Sequence, residues 1–317
     1  MIQPQEFETV VGCPLCGHGR SRPWRQAACI EAPDEVFAIG ECEACTLRYL
    51  NPRPRPQALG RYYAADYYSY QPSEVRPRSH VLKCGLWRCL GLLPPRLRPG
   101  VVAGAVRTLV RALVGVRSRW LLPASEPDAR FLDIGCGAGY RLDLAQELGW
   151  ETCGVDLGVG GLPVAREHGH RVAAGDAVIL PFADGSFDYV NLAHTLEHTR
   201  DPVAVLAECG RVLAAEGVVQ IVVPNSASWG SRRYGNHWRA LDVPRHLLHF
   251  TARSLRAVAE RAGLRAVAVS TLDDAWVLQE SAKLAGETEP PAPGALSRRL
   301  LRRRGYGENL NMWCTRA

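Results

Sequence analysis

The stretch at residues 129–140, ARFLDIGCGAGY, restricts what this chain can fold into more than any other. A short apolar run, Phe131 to Ile134, leads into a turn carrying Gly135, Gly137 and Gly139. Leu142, Leu144, Ala145 and Leu148 then recur at helical spacing. This order predicts strand, glycine turn and helix. Such a turn lets backbone amides come close to a ligand, because any Cβ would occupy the space. Beyond it, short apolar runs alternate with helical segments, the signature of a parallel α/β sheet. Strands are predicted at 130–134, 151–155, 171–174, 187–193, 217–223, 264–270 and 310–314. Gly149, Gly169 and Gly263 stand where helices stop, and Asp201-Pro202 supplies a cap with proline in the first turn.

A second feature precedes the first. Cys13-Pro-Leu-Cys16 is answered by Cys42-Glu-Ala-Cys45. Two C-x2-C knuckles let four thiolates converge on one Zn2+, and four thiolates close the coordination sphere, which predicts a structural metal. Asn51-Pro-Arg-Pro-Arg-Pro56 follows as an extended connector. Five tyrosines then crowd residues 62–70. They suit either a lid over a ligand or packing between domains, with Tyr62 and Tyr63 the candidates nearest a ligand.

Length and composition set wide bounds. A chain of 317 residues, 47% hydrophobic and 22% charged, can bury a sizeable core in one or two domains. The net charge of +6 permits an anionic substrate, nucleic acid or a membrane surface without choosing among them. Eleven cysteines, no secretory pattern at residues 1–10 and arginines interrupting the most apolar stretch lead us to expect a cytoplasmic protein.

Acidic residues after the predicted strands narrow the ligand. Asp156 closes the second strand, where a carboxylate can accept both hydroxyls of a ribose, in NAD as well as in other nucleosides. A dinucleotide fingerprint would need a small residue at position 140, where Tyr140 stands. The spacing D-x-G-x-G-x-G from Asp133 instead resembles motif I of the class I S-adenosylmethionine-dependent methyltransferases. Further on, Gly175-Asp176-Ala177, the run LPFADGSFD at 180–188 and Asn191-Leu-Ala-His194-Thr-Leu-Glu197-His198 keep the order of that family. The resemblance implies a Rossmann-like, doubly wound sheet of seven strands with the last antiparallel. It also implies that S-adenosylmethionine is bound, and S-adenosylhomocysteine released, by Tyr63, Asp133, Gly135, Cys136, Gly137, Gly139, Asp156, Leu157, Asp176, Ala177, Asn191, Ala193, His194 and His198. In that pattern Asp176 accepts from the adenine amine and the Ala177 amide meets a ring nitrogen, while Asp188 is structural.

The whole chain resembles the zinc-ribbon-bearing bacterial methyltransferases, near the deoxysugar C-methyltransferases and ubiquinone-pathway O-methyltransferases. Residues 1–56 would form the zinc-ribbon-like domain and connector, 57–127 a helical cap or linker, and 128–317 the methyltransferase domain with a substrate insertion near 226–250. The implied acceptor is an oxygen or carbon of a sugar, glycan, lipid or natural product, methylated without a catalytic metal. A hydroxyl or acidic-carbon acceptor needs a base, and histidine suits that task. His194 and His246 are the candidates, with His249 nearby. Asp242 is placed to orient a histidine and Arg245 to hold a carboxylate or phosphate. Trp229, Tyr234 and Trp238 read either as pocket walls or as aromatic core.

Three further readings stay open. The segment 100–119 sets Arg107 and Arg111 beside an apolar face, which fits core cover, a membrane surface or a carrier-linked substrate, as does the run RRLLRRR at 298–304. An rRNA or tRNA methyltransferase is the first alternative, disfavoured because the arginines lack interleaved RNA-binding aromatics. A non-catalytic interaction protein on the same fold is the second, opposed by the intact glycine turn and acidic residues.

Overall fold

The computed structural model describes residues 4–63, 70, 129–147, 149–287 and 300–317. The segment 100–119, nearly all of the 64–127 stretch and the start of the 298–304 run lie outside the described residues.

The N-terminal part is a small sheet. β1 (Phe7–Glu8) pairs with β5 (Arg53–Pro54), while β2 (Ser21–Ala28), β3 (Val36–Cys42) and β4 (Arg48–Leu50) form an antiparallel meander. After α1 (Pro56–Leu59), Tyr62 packs its ring edge-on against Phe37 and donates its hydroxyl to Glu35 at 2.7 Å. Tyr62 therefore serves the packing of this head.

The main sheet has seven strands: β6 (Arg130–Ile134), β7 (Glu151–Asp156), β8 (Arg171–Ala174), β9 (Phe187–Ala193), β10 (Leu213–Pro224), β12 (Leu264–Leu272) and β13 (Asn309–Arg316). The strand between the last three, β11 (Leu248–His249), belongs to the head. The order in the main sheet is β12-β13-β10-β9-β6-β7-β8. The first five in sequence run parallel, and β13 is antiparallel to both its neighbours. Both the strand count and the reversed last strand agree with expectation. Parallel strands covered on both faces need continuous apolar runs, and Val219, Ile221, Val222 and Val223 of β10 are all buried.

The connections follow the local signals. α2 (Tyr140–Glu147) leaves the glycine turn, α3 (Leu162–Glu167) joins β7 to β8, and α4 (Pro202–Val212) starts at Asp201, whose carboxylate accepts from the Val203 and Ala204 amides. Gly149, Gly169 and Gly263 all sit at positive φ, as helix stops require. Asp188, read as structural, accepts from the Arg130 amide and guanidinium at 3.0 and 3.1 Å. Strand order reverses between β6 and β9, which opens a crevice beyond their carboxyl ends, the place where such sheets bind ligands.

The insertion after β10 does not stand apart from the head. It runs through α5 (Trp229–Tyr234) to β11, which pairs antiparallel with β4 and becomes the edge strand of the head sheet. The Leu50 amide donates to the Leu247 carbonyl at 2.9 Å, and the Leu247 amide to the Glu197 carbonyl at 2.8 Å. Arg48 reaches Ser226, Arg25 reaches Ser231 and Gly235, and both guanidinium groups lie over the Trp24 ring. α6 (Ala252–Arg261) and α7 (Ala275–Leu284) complete the chain around β12.

One buried acid sets a pH dependence. Glu308 accepts from Ser228 Oγ, the Gly230 amide and Trp238 Nε1 at 3.0, 2.8 and 3.0 Å, yet burial outweighs these donors and pushes its carboxyl up to about 7 from an ordinary 4.5. The folded state thus holds a proton that the unfolded chain releases above about pH 4.5. Its contribution is full below that value and is lost as pH rises to 7, on the order of 3 kcal/mol. Urea unfolding at pH 5 and pH 8 should show a loss in the parent protein that Glu308→Gln reduces by that amount. Parallel curves for the two proteins would remove Glu308 from the account.

Candidate functional site

The four cysteines meet as their spacing predicts. Cys13 Sγ lies 3.4 Å from Cys45 Sγ and Cys16 Sγ 3.6 Å from Cys42 Sγ, and the four form one ligand cluster. Tetrahedral Zn–S bonds place sulfurs about 3.8 Å apart, so the cluster fits Zn2+ after a small expansion. Each knuckle closes by a backbone turn, the Gly17 amide donating to Cys13 O at 2.8 Å and the Thr46 amide to Cys42 O at 3.0 Å. Four thiolates would close the coordination sphere of such an ion, so a metal bound here would be structural and would offer substrate no coordination position.

The glycine turn is built for close approach. Gly135 has φ +78°, and a Cβ on it would collide with Thr195 Oγ1. Gly139 has φ +90° with its back against the His170 ring. Beyond the turn Asp156 accepts from the Gly137 amide at 2.8 Å and the Gly158 amide at 2.7 Å. Burial raises its carboxyl, and these two backbone donors oppose the rise. Asp156 thereby ties the turn to the end of β7 at the crevice.

Around this centre the expected residues separate into two groups. Leu157 is exposed on the loop after β7, and Asp176 lies after β8 with its carboxylate accepting from the Val178 amide at 3.1 Å. Ala177 and Ala193 are half-buried. Leu157 and Val159 with Ile179 leave an apolar rim on the two loops, which suits the face of a planar base. Asp133 and Asn191 instead lie beneath the turn. Asn191 Nδ2 donates to Asp133 at 2.6 Å and Arg141 Nη1 donates to Asn191 Oδ1 at 3.0 Å. Burial pushes the Asp133 carboxyl up to about 6, against the nearby Arg141 charge and the Asn191 bond. Cys136 points inward, near Gly154, so only its backbone serves the turn.

Two tyrosines approach the site, one of them not singled out by the sequence. Tyr63 Oη stands 3.0 Å from His198 Nδ1. Tyr70 packs on the loop after β7, where a Cβ on Gly158 would collide with its hydroxyl. Nothing in the spacing of a five-tyrosine run distinguishes Tyr70 from the others. The sequence likewise gives no reason to single out Arg141, since an arginine at the start of a helix normally signals solvent.

At the end of β9 the histidines gather round one carboxylate. His194 adopts a left-handed φ of +56° and holds Nδ1 3.4 Å from Glu197 Oε1. Glu197 is buried, and neither of its oxygens has a hydrogen bond of good geometry. Burial favours its neutral form, but His194, His246 and His198 outweigh that and hold the carboxyl below its ordinary range. His246 Nε2 lies 4.0 Å from the same oxygen, and its Nδ1 donates to Ala240 O at 2.9 Å. Burial, with the neighbouring His198, pushes the His246 imidazole down to about 4. His198 Nδ1 is 3.0 Å from Arg245 O. Glu197, His198 and His246 bring ligand atoms within 4.8 Å of one another, so they could hold a cation.

The remaining insertion residues are turned inward. Arg245 is buried between Asp242, at 3.1 Å from Nε, Glu31, at 2.7 Å, and the Tyr62 carbonyl, at 2.9 Å. Asp242 sits at φ +40°, 3.7 Å from His246 Nε2 and between Arg239 and Arg245; burial raises its carboxyl, but His246 and then the two arginines outweigh that and hold it well below the usual range. Trp238 and Tyr234 are buried, Trp229 half-buried, and His249 packs beside Trp24 of the head. These side chains fasten the insertion through buried ion pairs and aromatic packing. His194 remains partly exposed at the strand end.

Comparisons with known proteins bear on the same residues. A family model described as "Methyltransferase domain" matches residues 107–269. The chain is 32% identical over 129 residues to the malonyl-[acyl-carrier protein] O-methyltransferase of Serratia marcescens, covering 40% of this chain and 50% of that one. It is 30% identical over 196 residues to the ubiquinone biosynthesis O-methyltransferase of Xanthomonas axonopodis pv. citri, covering 57% and 81%. Apart from the latter, the chain spans about half the length of the curated relatives it matches. Among solved structures, an S-adenosylmethionine dependent methyltransferase from Mesorhizobium loti aligns at 18% identity with a TM-score of 0.46, covering 68% of this chain and 100% of that one.

Proposed function

The chain belongs to the methyltransferase domain family, and from that premise we propose that it transfers a methyl group from S-adenosylmethionine to an oxygen or carbon of a sugar, glycan, lipid or natural-product small molecule. The observation that carries the reading is the pairing, at one crevice, of a ligand-ready glycine turn backed by Asp156 with the His194–Glu197 pair. The curated relatives named above are O-methyltransferases, one of a carrier-linked acid and one of ubiquinone biosynthesis. That supports an oxygen acceptor of small-molecule or carrier-linked type.

When bound, S-adenosylmethionine supplies an electrophilic methyl on a sulfonium, and the protein must align an acceptor with it and exclude water. Asp156 would hold the ribose, while the loops bearing Leu157 and Asp176 would receive the adenine. His194 would take the acceptor's proton. Glu197, 3.4 Å from Nδ1, fixes the ring and balances the charge His194 then carries. The three buried donors around Glu308 and the ion pairs of Asp242 keep the insertion rigid behind this pair.

His194→Ala should lower kcat by about 10²- to 10⁴-fold while leaving affinity for S-adenosylmethionine within about threefold, the loss typical of a removed general base. Partial rescue by added imidazole would mark a proton-transfer role. A kcat within a few-fold of the parent, on an acceptor found by mass-detected screening, excludes His194 as base.

One observation favours a second reading. His246 donates Nδ1 to a backbone carbonyl and leaves Nε2 between Asp242, at 3.7 Å, and buried Glu197, at 4.0 Å, while His198 brings a ring nitrogen within 4.8 Å of both Glu197 and His246, an arrangement that second-shell bonds give to metal ligands. A divalent cation held there would act as a Lewis acid on the acceptor oxygen. Activity lost to a chelator and restored by Mg2+ or Mn2+, with the cysteine-bound zinc retained throughout, would favour this reading over the base.

A further inference from the structure

We propose that Asp143, His168 and His170 form a second metal site, without cysteine, that braces the back of the glycine turn and takes Zn2+ or a similar borderline divalent ion. The three residues come from two segments. Asp143 lies in the first turn of α2, the helix that leaves the glycine turn. His168 caps the end of α3, Gly169 reverses the chain at φ +84°, and His170 stands just before β8.

The geometry brings their donor atoms to one point. His170 Nε2 is 2.8 Å from Asp143 Oδ1, and His168 Nδ1 is 3.4 Å from Asp143 Oδ2. All three ligand atoms lie within 4.8 Å of one another. Tetrahedral Zn2+ with bonds of about 2.0–2.1 Å sets ligand atoms about 3.3 Å apart; the two histidine–carboxylate contacts, one to each oxygen of Asp143, lie within about half an ångström of that spacing, and the two imidazoles, within 4.8 Å, would close on the ion. Two imidazoles and a carboxylate are the donor set of open zinc sites, whose fourth position holds water. The His170 side chain is 0% exposed, whereas those of His168 and Asp143 are 40% and 39% exposed. The site is therefore anchored on its inner side and open to exchange on its outer side.

Its position gives it a consequence for the turn. A Cβ on Gly139 would come 3.0 Å from His170 Cδ2, so the imidazole is packed directly behind the third glycine. An ion would join α2 to the segment between α3 and β8, the two elements that flank this part of the turn. It would stiffen the turn without entering the crevice. The competing arrangement is a carboxylate that merely bridges two histidines by hydrogen bonds, with no ion.

The test uses the full chain and counts metal. After dialysis against Zn2+, the parent protein should carry two tight equivalents per chain, one on the cysteines and one here. Asp143→Asn with His168→Ala should carry only one. Exchange with Co2+ separates the two, because the cysteine site gives an intense thiolate charge-transfer band and a site of two nitrogens and one oxygen gives none. The second equivalent should raise the melting temperature of the parent and leave that of the double variant unchanged. Both substituted side chains are partly exposed, so circular dichroism of the variant should match the parent. Equal zinc stoichiometry in the parent and the double variant overturns the proposal.

Discussion

Asp156→Ala is expected to weaken binding of S-adenosylmethionine about 100-fold or more, with the loss read directly by titration calorimetry. Two effects add. A charge-assisted hydrogen bond contributes roughly 1.5–3 kcal/mol, and a carboxylate at the end of the second strand can make two of them to a ribose. Each 1.4 kcal/mol is about tenfold in affinity. The same carboxylate also accepts from the Gly137 and Gly158 amides, so its removal frees the turn whose shape the ligand needs. Asp156→Asn keeps an acceptor and should lose less. Affinity unchanged in the alanine variant would sink the placement of the nucleoside at this strand end.

The second large effect is expected from the head. Structural zinc in isolated finger peptides is worth on the order of 10 kcal/mol, more than the margin by which most domains are folded. Cys42→Ser opens the coordination sphere at the end of β3. β4 begins soon after, at Arg48, and carries β11, so the loss should spread into the insertion. Hydrogen exchange should show residues 48–50 and 247–249 losing protection together, while β6 and β7 keep theirs. Methyl transfer should fall with them, because the Leu247 amide holds the Glu197 carbonyl. An insertion that stays protected after zinc is stripped would mean that the head is an independent module.

The parts of the fold that could be read beforehand are those fixed by neighbouring residues. Phe131 to Ile134 ahead of three glycines fixes β6 and its turn, because a buried parallel strand and a tight backbone approach each leave a local trace. The same holds for Asp201-Pro202 and for the cysteine knuckles. The head sheet is different. Its edge is supplied by Leu248 and His249, two residues with no strand pattern, paired with residues about two hundred positions earlier. No window of sequence contains that information.

The site shows the same division. His194 could be named because a family-like run, residues 191–198, contains it. His246, Arg245 and Trp238 were equally good candidates by residue type, since histidine, arginine and tryptophan serve both cores and clefts. Burial and partners separate them: Arg245 is enclosed by Asp242 and Glu31, and Trp238 donates to Glu308. Glu308 and Tyr70 belong to no spacing rule. The cluster of Asp143, His168 and His170 appears only once α2 and the start of β8 are brought side by side.

The left-handed backbone of His194, at φ +56°, has a consequence for engineering. Asparagine and glycine are at ease in that conformation, whereas β-branched residues are not. A library that varies position 194 to retune chemistry will therefore be filtered first by conformation, and only the survivors by reactivity. Variants with glycine or asparagine will keep the path of the chain out of β9, and those with valine or isoleucine will shift it, whatever their side chains could do for an acceptor.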